Sequence, residues 1–215
     1  MRIIAGTKRG MNLFSPKTFV SRPITDRVKE SLFDVLYNFG FPEGKIVADL
    51  FCGVGSLGLE ALSRGAEFVT FVEQDIKIVA TLKRNIEKAG FAGQSKVIRA
   101  NAFRTSAPPA EPAVEISNYK LQISNFKGYD LVFVDPPYAC TKNVQENSPL
   151  AGLMSILGGQ IAVDGIVVVR TDSKIFLLER YFTFQLIDRR RWGSMAVSIL
   201  QAHPEPGRRK ETHDE

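Results

Sequence analysis

Short apolar runs alternate with amphipathic helical stretches through most of the chain, and this alternation constrains the fold more than any other feature of the sequence. Continuous apolar runs of strand length are typical of strands buried on both faces of a parallel sheet. We therefore expect a doubly wound α/β fold, with helices on both faces of a mainly parallel seven-stranded sheet. The strands are predicted at residues 46–51, 68–73, 96–99, 131–135, 165–170, 182–190 and 195–200.

Helical periodicity and turn residues divide the rest of the chain. Helices are predicted at 27–39, 56–64, 76–89 and 150–157, with Asp26 or Thr25 as the cap of the first. The last two strands are expected to form an antiparallel hairpin, and residues 2–14 a basic β-hairpin. We expect an N-terminal hairpin-and-helix extension (1–40), a Rossmann-like domain (41–203) with a surface insertion at 105–128, and a disordered tail (204–215).

Charge and cysteine content narrow the class of protein. The net charge is +5 and the pI about 9.2, and residues 1–30 carry seven Lys or Arg against two acids. This permits a polyanionic partner. Two distant cysteines, and two histidines near the C-terminus, predict no metal site and a reduced, cytoplasmic protein. No apolar run has the length of a membrane span or a signal peptide.

A glycine-rich loop follows the first predicted strand and opens a helix. The segment Gly53-Val54-Gly55-Ser56-Leu57-Gly58 matches the G-x-G-x-x-G pattern, and Glu73 stands near the distance expected of a ribose-binding acid. The glycines permit a tight turn and close approach of the backbone to a ligand. Any adenosine-type cofactor can use such a loop, so it predicts NAD or S-adenosylmethionine equally.

Asp49 favours the second of these cofactors. It lies near the end of the strand before the loop, and a buried carboxylate needs partners. S-adenosylmethionine carries both an ammonium and a sulfonium group. The third strand is followed by Asn101 and Ala102, where an adenine amino group could be bound, although Asn101 can equally be a turn residue. The predicted cofactor-binding residues are therefore Asp49, Phe51, Gly53, Gly55, Glu73, Asn101 and Ala102.

Asp135-Pro136-Pro137-Tyr138 ends the apolar run 129–134. Neither proline donates a backbone hydrogen bond, so the chain must leave the sheet at the strand's carboxyl end, where α/β sheets bind ligands. The Asp135 carboxylate and the Pro136 carbonyl can accept both hydrogens of an exocyclic amine and so free its lone pair. Tyr138 offers a stacking face for a base. We predict that Asp135, Pro136, Pro137 and Tyr138 carry the transfer of a methyl group to a nucleobase amine.

Three segments together give the chain a family resemblance. Residues 51–66, 22–30 and 135–138 resemble those of the RsmD family, 16S ribosomal RNA guanine-N2 methyltransferases that use S-adenosylmethionine. The resemblance implies that Thr25 lies over the methionine end of the cofactor and that Arg22 lies near cofactor or RNA. Ile24 stands where a second threonine is common in the family, and 105–128 has the character of an extra insertion.

The expected function is methyl transfer from S-adenosylmethionine to guanine N2 in 16S rRNA. The expected substrate is the small ribosomal subunit or its assembly intermediate, and the enzyme is expected to be a monomer. Guanine, N2 and the ribosome come from the resemblance alone. Phosphates are expected to contact Arg2, Lys8, Arg9 and Arg22. From the residues, adenine-N6 or cytosine-N4 methylation stays open, because the same acceptors serve all three amines. An NAD-dependent oxidoreductase and an inactive RNA-binding module are the alternatives from other classes.

Overall fold

The computed structural model describes residues 1–16, 24–106 and 126–203. The helices are α1 (Asp26–Asn38), α2 (Ser56–Ser63), α3 (Ile76–Ala89), α4 (Ala102–Thr105) and α5 (Pro149–Leu157). The strands are β1 (Ile46–Leu50), β2 (Phe68–Glu73), β3 (Ser95–Arg99), β4 (Tyr129–Val134), β5 (Ile161–Asp172), β6 (Arg180–Tyr181), β7 (Phe184–Trp192) and β8 (Met195–Ala202). Short 3-10 turns occur at Gly6–Lys8, Ala92–Gln94 and Tyr138–Thr141.

One sheet carries all these strands, in the order β3-β2-β1-β4-β5-β8-β7-β6. Strands β1 to β5 pair in parallel, whereas β8 pairs antiparallel with β5 and with β7. The predicted α/β fold and its C-terminal hairpin are therefore confirmed. The seven predicted strands are all present, and the eighth is the two-residue edge strand β6, which is too short to leave a periodic pattern in the sequence.

The two faces of the sheet pack against different helices. Helices α1, α2 and α3 and the N-terminal segment share one buried cluster with one face of the sheet, in which Phe33, Phe71 and Phe133 are fully buried. Helix α5 packs on the other face, with Tyr129 and Leu150. Strand register places the carboxyl ends of β1, β2, β4 and β5 in one row across the sheet. We call this border, which runs across the strands, the strand-end edge.

The N-terminal hairpin is smaller than expected. Its two sides meet in a single β-bridge between Arg2 and Asn12, and Ile3 N donates to Met11 O at 3.0 Å. Helix α1 starts with Thr25 as its N-cap, since the Thr25 hydroxyl accepts from Val28 N at 3.4 Å. Most of the predicted insertion, the predicted tail (204–215) and residues 17–23 lie outside the described residues, so those predictions stand untested.

A buried ion pair joins the N-terminal segment to α1 and α2. Lys29 Nζ lies 3.2 Å from Glu60 Oε2, and both side chains are fully buried. The Glu60 carboxylate also accepts from Ile4 N at 2.7 Å and from Ala5 N at 3.0 Å. Burial lowers the pKa of Lys29, and the Glu60 charge opposes that shift. A buried pair with this many hydrogen bonds fixes the geometry of three segments at once.

Replacing Glu60 with Gln leaves the Lys29 ammonium buried without its anion. We expect a loss of about 3–5 kcal/mol in the free energy of unfolding, because an uncompensated buried charge is strongly destabilising. Urea unfolding at neutral pH measures this. The matched control is Glu67→Gln on the exposed surface, which should change stability by less than about 0.5 kcal/mol. Equal losses of stability in the two variants would show that the buried ion pair contributes no more than a surface carboxylate does.

Candidate functional site

A cavity of about 580 Å³ opens at the strand-end edge. It joins the glycine loop after β1, the end of β2 and the Asp-Pro-Pro-Tyr segment after β4, which the sequence predicted to meet. Of the predicted site residues, those lining it are Asp49, Phe51, Gly53, Glu73, Ala102, Asp135, Pro136, Pro137 and Tyr138. The volume suits a nucleoside-sized ligand.

The loop between β1 and α2 is held in a strained shape. Phe51 has a φ of +58°, a conformation that non-glycine residues rarely adopt and that concentrates at functional sites. Its ring packs against Phe103, with ring centres 4.7 Å apart. Gly55 has a φ of +87°, and a Cβ there would lie 2.5 Å from Leu82 Cδ1. Gly55 therefore serves the turn and the packing of α3 and does not line the cavity.

Backbone amides orient the carboxylate of Glu73. Its Oε2 accepts from Gly53 N at 3.1 Å, and its Oε1 accepts from Gln74 N at 2.8 Å and from Asp75 N at 2.9 Å. The carboxylate is thus fixed between the loops after β1 and β2. Each carboxylate oxygen has more than one acceptor site, so the group can also accept from hydroxyls of a ligand in the cavity.

Asp49 is a buried acid at the floor of the cavity. Its Oδ2 accepts from Gly58 N at 2.8 Å, in the first turn of α2. Burial raises the pKa of Asp49 to about 8, and the nearby charges of Asp135 and Glu73 add to this shift. A cation beside Asp49 would favour the ionised carboxylate and so oppose this shift. The site therefore favours a positively charged ligand group beside Asp49.

Arg170, which the sequence analysis did not select, holds Asp135. It lies near the end of β5, beside β4, and its Nε donates to Asp135 Oδ1 in a close ion pair. Burial raises the pKa of Asp135, while the Arg170 guanidinium opposes the shift. The guanidinium carbon lies 5.9 Å from the centre of the Tyr138 ring. The signal in the sequence that could have identified Arg170 is a charged residue directly after the apolar run of β5.

Some predicted cofactor residues have other positions. Asn101 is exposed and caps α4, because its Oδ1 accepts from Phe103 N at 3.0 Å. This is the turn role that the sequence left open, and Asn101 does not line the cavity. Thr25 caps α1, and its neighbour Ile24 lines the cavity instead. The lining residues that the sequence analysis missed also include Met1, Gln74, Ile78, Ala100, Arg170 and Asp172.

Of the predicted RNA-contacting cations, Lys8 and Arg9 lie apart from the cavity, whereas Arg2 adjoins Met1, which lines it. Arg2 pairs with Asp26 at 2.8 Å. Lys8 N donates to Ser63 Oγ at 2.9 Å, at the last residue of α2, while Ser56 at the other end of that helix lines the cavity. The hairpin tip with Lys8 and Arg9 is thus at the edge of the sheet opposite the strand-end edge. Arg22 lies outside the described residues.

Solved structures with the same architecture include two that are described as candidate methyltransferases or methylases. A candidate methyltransferase from Escherichia coli, yhhF, superposes with a TM-score of 0.72 at 28% identity, covering 95% of this chain and 99% of that one. A candidate methylase from Haemophilus influenzae, HI0767, gives 0.67 at 28% identity over 94% and 98%. The fold and its strand-end cavity therefore define a Rossmann-like protein of the class I methyltransferase type.

Sequence comparison gives the family. Residues 1–201 match the family described as Conserved hypothetical protein 95. A candidate rRNA methyltransferase of Bacillus subtilis, YlbH, is 31% identical over 94% of this chain and 98% of its own length. The ribosomal RNA small subunit methyltransferase D of Haemophilus influenzae is 37% identical over 64% of each chain. The chain belongs to this family, and the resemblance to RsmD proteins is confirmed.

Among the described residues, no helix is both long enough and apolar enough to cross a membrane. Within residues 1–16, 24–106 and 126–203, no group of three or more His, Cys, Asp and Glu side chains is placed to hold a metal ion.

The raised pKa of Asp49 predicts that the free energy of unfolding depends on pH. The folded protein binds this proton up to about pH 8, whereas the unfolded chain releases it near pH 4. Stability therefore falls as pH rises through this window. Asp49→Asn should add about 1–3 kcal/mol to the free energy of unfolding at about pH 8 and little at about pH 4.

Urea unfolding of the ligand-free protein across this range measures the difference. Asp34→Asn, on the exposed side of α1, is the control and should give no pH-dependent gain. A gain for Asp49→Asn that is the same at both ends of the range would contradict the assignment.

Proposed function

We propose that the protein transfers a methyl group from S-adenosylmethionine to the exocyclic N2 amine of a guanine in 16S ribosomal RNA. One observation carries this proposal: Asp49 and Glu73, suited to a cationic nucleoside, share a single cavity with Asp135 and Tyr138, suited to a nucleobase amine. The proposed substrate is the small ribosomal subunit or an assembly intermediate, met in the cytoplasm by a monomeric enzyme.

The cofactor half of the cavity fits S-adenosylmethionine. When bound, this cofactor supplies an electrophilic methyl group on a sulfonium. Glu73, oriented by three backbone amides, would accept from the ribose hydroxyls. Asp49 would face the cationic end, which lowers the cost of ionising a buried acid. An RNA methyltransferase of Salinibacter ruber with the same fold, with a TM-score of 0.58 at 15% identity, was solved with S-adenosyl-L-homocysteine.

The acceptor half fits an aromatic amine. The Asp135 carboxylate and the Pro136 carbonyl would take the two amine hydrogens, which pulls the nitrogen toward tetrahedral geometry and frees its lone pair. Cys140 N donates to Pro137 O at 2.8 Å, so the second proline carbonyl is committed to the turn. As the C–N bond forms, the C–S bond breaks, and the cationic nitrogen then loses a proton to solvent. No strong general base is needed before attack.

Transfer of labelled methyl to small subunits that lack the modification tests the product. We expect label in N2-methylguanosine after digestion to nucleosides. Label in N6-methyladenosine or N4-methylcytidine would overturn the guanine assignment and support the alternatives. Calorimetry with S-adenosylhomocysteine and with NADH tests the cofactor, and binding of NADH alone would support an oxidoreductase.

Asp135→Ala should abolish methyl transfer, because the amine loses its charged acceptor. Affinity for S-adenosylhomocysteine should stay within about tenfold, or roughly 1.4 kcal/mol, since Asp135 belongs to the acceptor half. Asp164→Asn is the control, at an exposed residue near the start of β5, and should keep full activity. Turnover retained by Asp135→Ala would show that the acceptor assignment is wrong.

Arg170 is expected to act as a positioning residue through Asp135. Arg170→Met should lower kcat and shift the acidic limb of the pH–rate profile to higher pH, because Asp135 loses the charge that opposes its raised pKa. Arg170→Lys should restore part of both. A lowered rate with an unmoved pH profile would mean that Arg170 only supports the local structure.

A further inference from the structure

An exposed aromatic ring lies in the loop after β5, the strand that carries Arg170. Phe176 is 67% exposed. It lies in the loop of residues 173–179 that follows β5, and two β5 residues, Arg170 and Asp172, line the cavity. The loop starts at the strand-end edge, where Ser173 N donates to Ser194 O at 2.9 Å, and Phe176 follows three residues later.

The structure fixes this ring in place. The Arg189 guanidinium carbon lies 4.0 Å from the centre of the Phe176 ring. The same guanidinium donates through Nη2 to Ser173 O at 2.8 Å and to Ile175 O at 3.2 Å, so it holds the loop and stacks on the ring together. The next residue, Leu177, is buried in the cluster beneath. Phe176 is thus an ordered platform, which reduces the entropic cost of binding.

Exposed cations surround the platform. Lys174 lies in the same loop and is exposed. Arg191 is exposed and stands two residues beyond Arg189 on β7, so the two arginines share a face of the sheet. Arg190 projects from the opposite face and pairs with Asp188 at 2.9 Å. A fixed aromatic ring flanked by Lys and Arg is the pattern by which proteins bind single-stranded nucleic acid.

Position distinguishes this surface from the N-terminal hairpin. Trp192 pairs with Met195, and Met195 pairs with Asp172, so the β7–β8 turn reaches the strand-end edge. The end of β7 is three strands from that of β4 in the sheet order, or about 14 Å at the usual strand spacing. Nucleotides adjoining a base bound at Asp135 can span that distance. The tip with Lys8 and Arg9 is at the opposite edge.

We propose that Phe176, Arg189, Lys174 and Arg191 form a docking surface for single-stranded RNA next to the target nucleotide. A flanking base stacks on Phe176, which Arg189 backs from behind, and the phosphates contact Lys174 and Arg191. This inference rests on the proposed function, because it takes the RNA substrate of that function as its ligand. The experiments below distinguish a failure of the docking surface from a failure of the proposed function.

Phe176→Ala should raise the KM for the RNA substrate by about 5- to 100-fold, the range of one lost stacking contact. The affinity for S-adenosylhomocysteine should not change. The matched control is Phe182→Ala, because Phe182 is 57% exposed but precedes β7 at the opposite edge of the sheet. An equal KM for wild type and Phe176→Ala, or an equal rise in both variants, would overturn the docking surface.

A spectroscopic readout detects stacking directly. The chain has one tryptophan, so Phe176→Trp in a Trp192→Phe background places the only indole on the platform. Its emission should be quenched by the rRNA fragment that contains the target, and Lys174→Glu with Arg191→Glu should weaken that binding at least tenfold. Unquenched emission at RNA concentrations that saturate binding would overturn the proposal.

The two proposals fail differently. If the wild-type protein transfers no methyl group to RNA, then the proposed function fails, whatever Phe176 does. If it methylates RNA and Phe176→Ala keeps the wild-type KM, only the docking surface fails. A rise in KM together with weaker S-adenosylhomocysteine binding would also count against the surface, since it would indicate a distorted cavity.

Discussion

The buried Lys29–Glu60 pair is the interaction on which the arrangement of this protein depends. Glu60 stands in the helix that begins at the cofactor loop, and Lys29 Nζ donates to Arg2 O at 2.7 Å. The pair therefore sets the position of the N-terminal segment against α1 and α2. That segment in turn supplies Met1 to the cavity wall, and Ile24, which precedes the N-cap of α1, lines the cavity as well. Lys29 Nζ also lies 3.3 Å from Ser56 Oγ, and Ser56 lines the cavity, so the ion pair supports part of the cavity wall.

The cavity gathers acids at one edge and supplies few compensating charges. Asp49, Glu73, Asp135 and Asp172 all line it, together with Arg170. Three of these acids have different partners: Glu73 accepts from three backbone amides, Asp135 pairs with an arginine, and Asp49 accepts from one amide in a buried position. Burial raises the pKa of Asp49 to about 8, whereas the Arg170 guanidinium opposes the rise in the pKa of Asp135. Under the proposed function, the cationic ligand group lies beside the first acid and the amine beside the second.

Much of the fold and the site could be predicted from the sequence, because local rules govern them. Strand–helix alternation gave the sheet, and strand ends gave Asp49, Glu73 and Asp135. Arg170 and Arg189 were missed because their partners lie on other strands or in loops, where spacing carries no signal. Asn101 was ambiguous, since amide side chains serve turns as readily as ligands. Lys8 and Arg9 were assigned to RNA by charge alone, which says nothing about which edge of the sheet they occupy.

The clamp that Arg189 makes on the loop after β5 has a consequence for how this family can diversify. Its two hydrogen bonds go to main-chain carbonyls of residues 173 and 175, and carbonyls do not change when side chains do. The loop can therefore keep its shape while residues 174 and 176 vary. Changes at these two positions would alter the proposed docking surface and leave the two backbone hydrogen bonds of the loop in place.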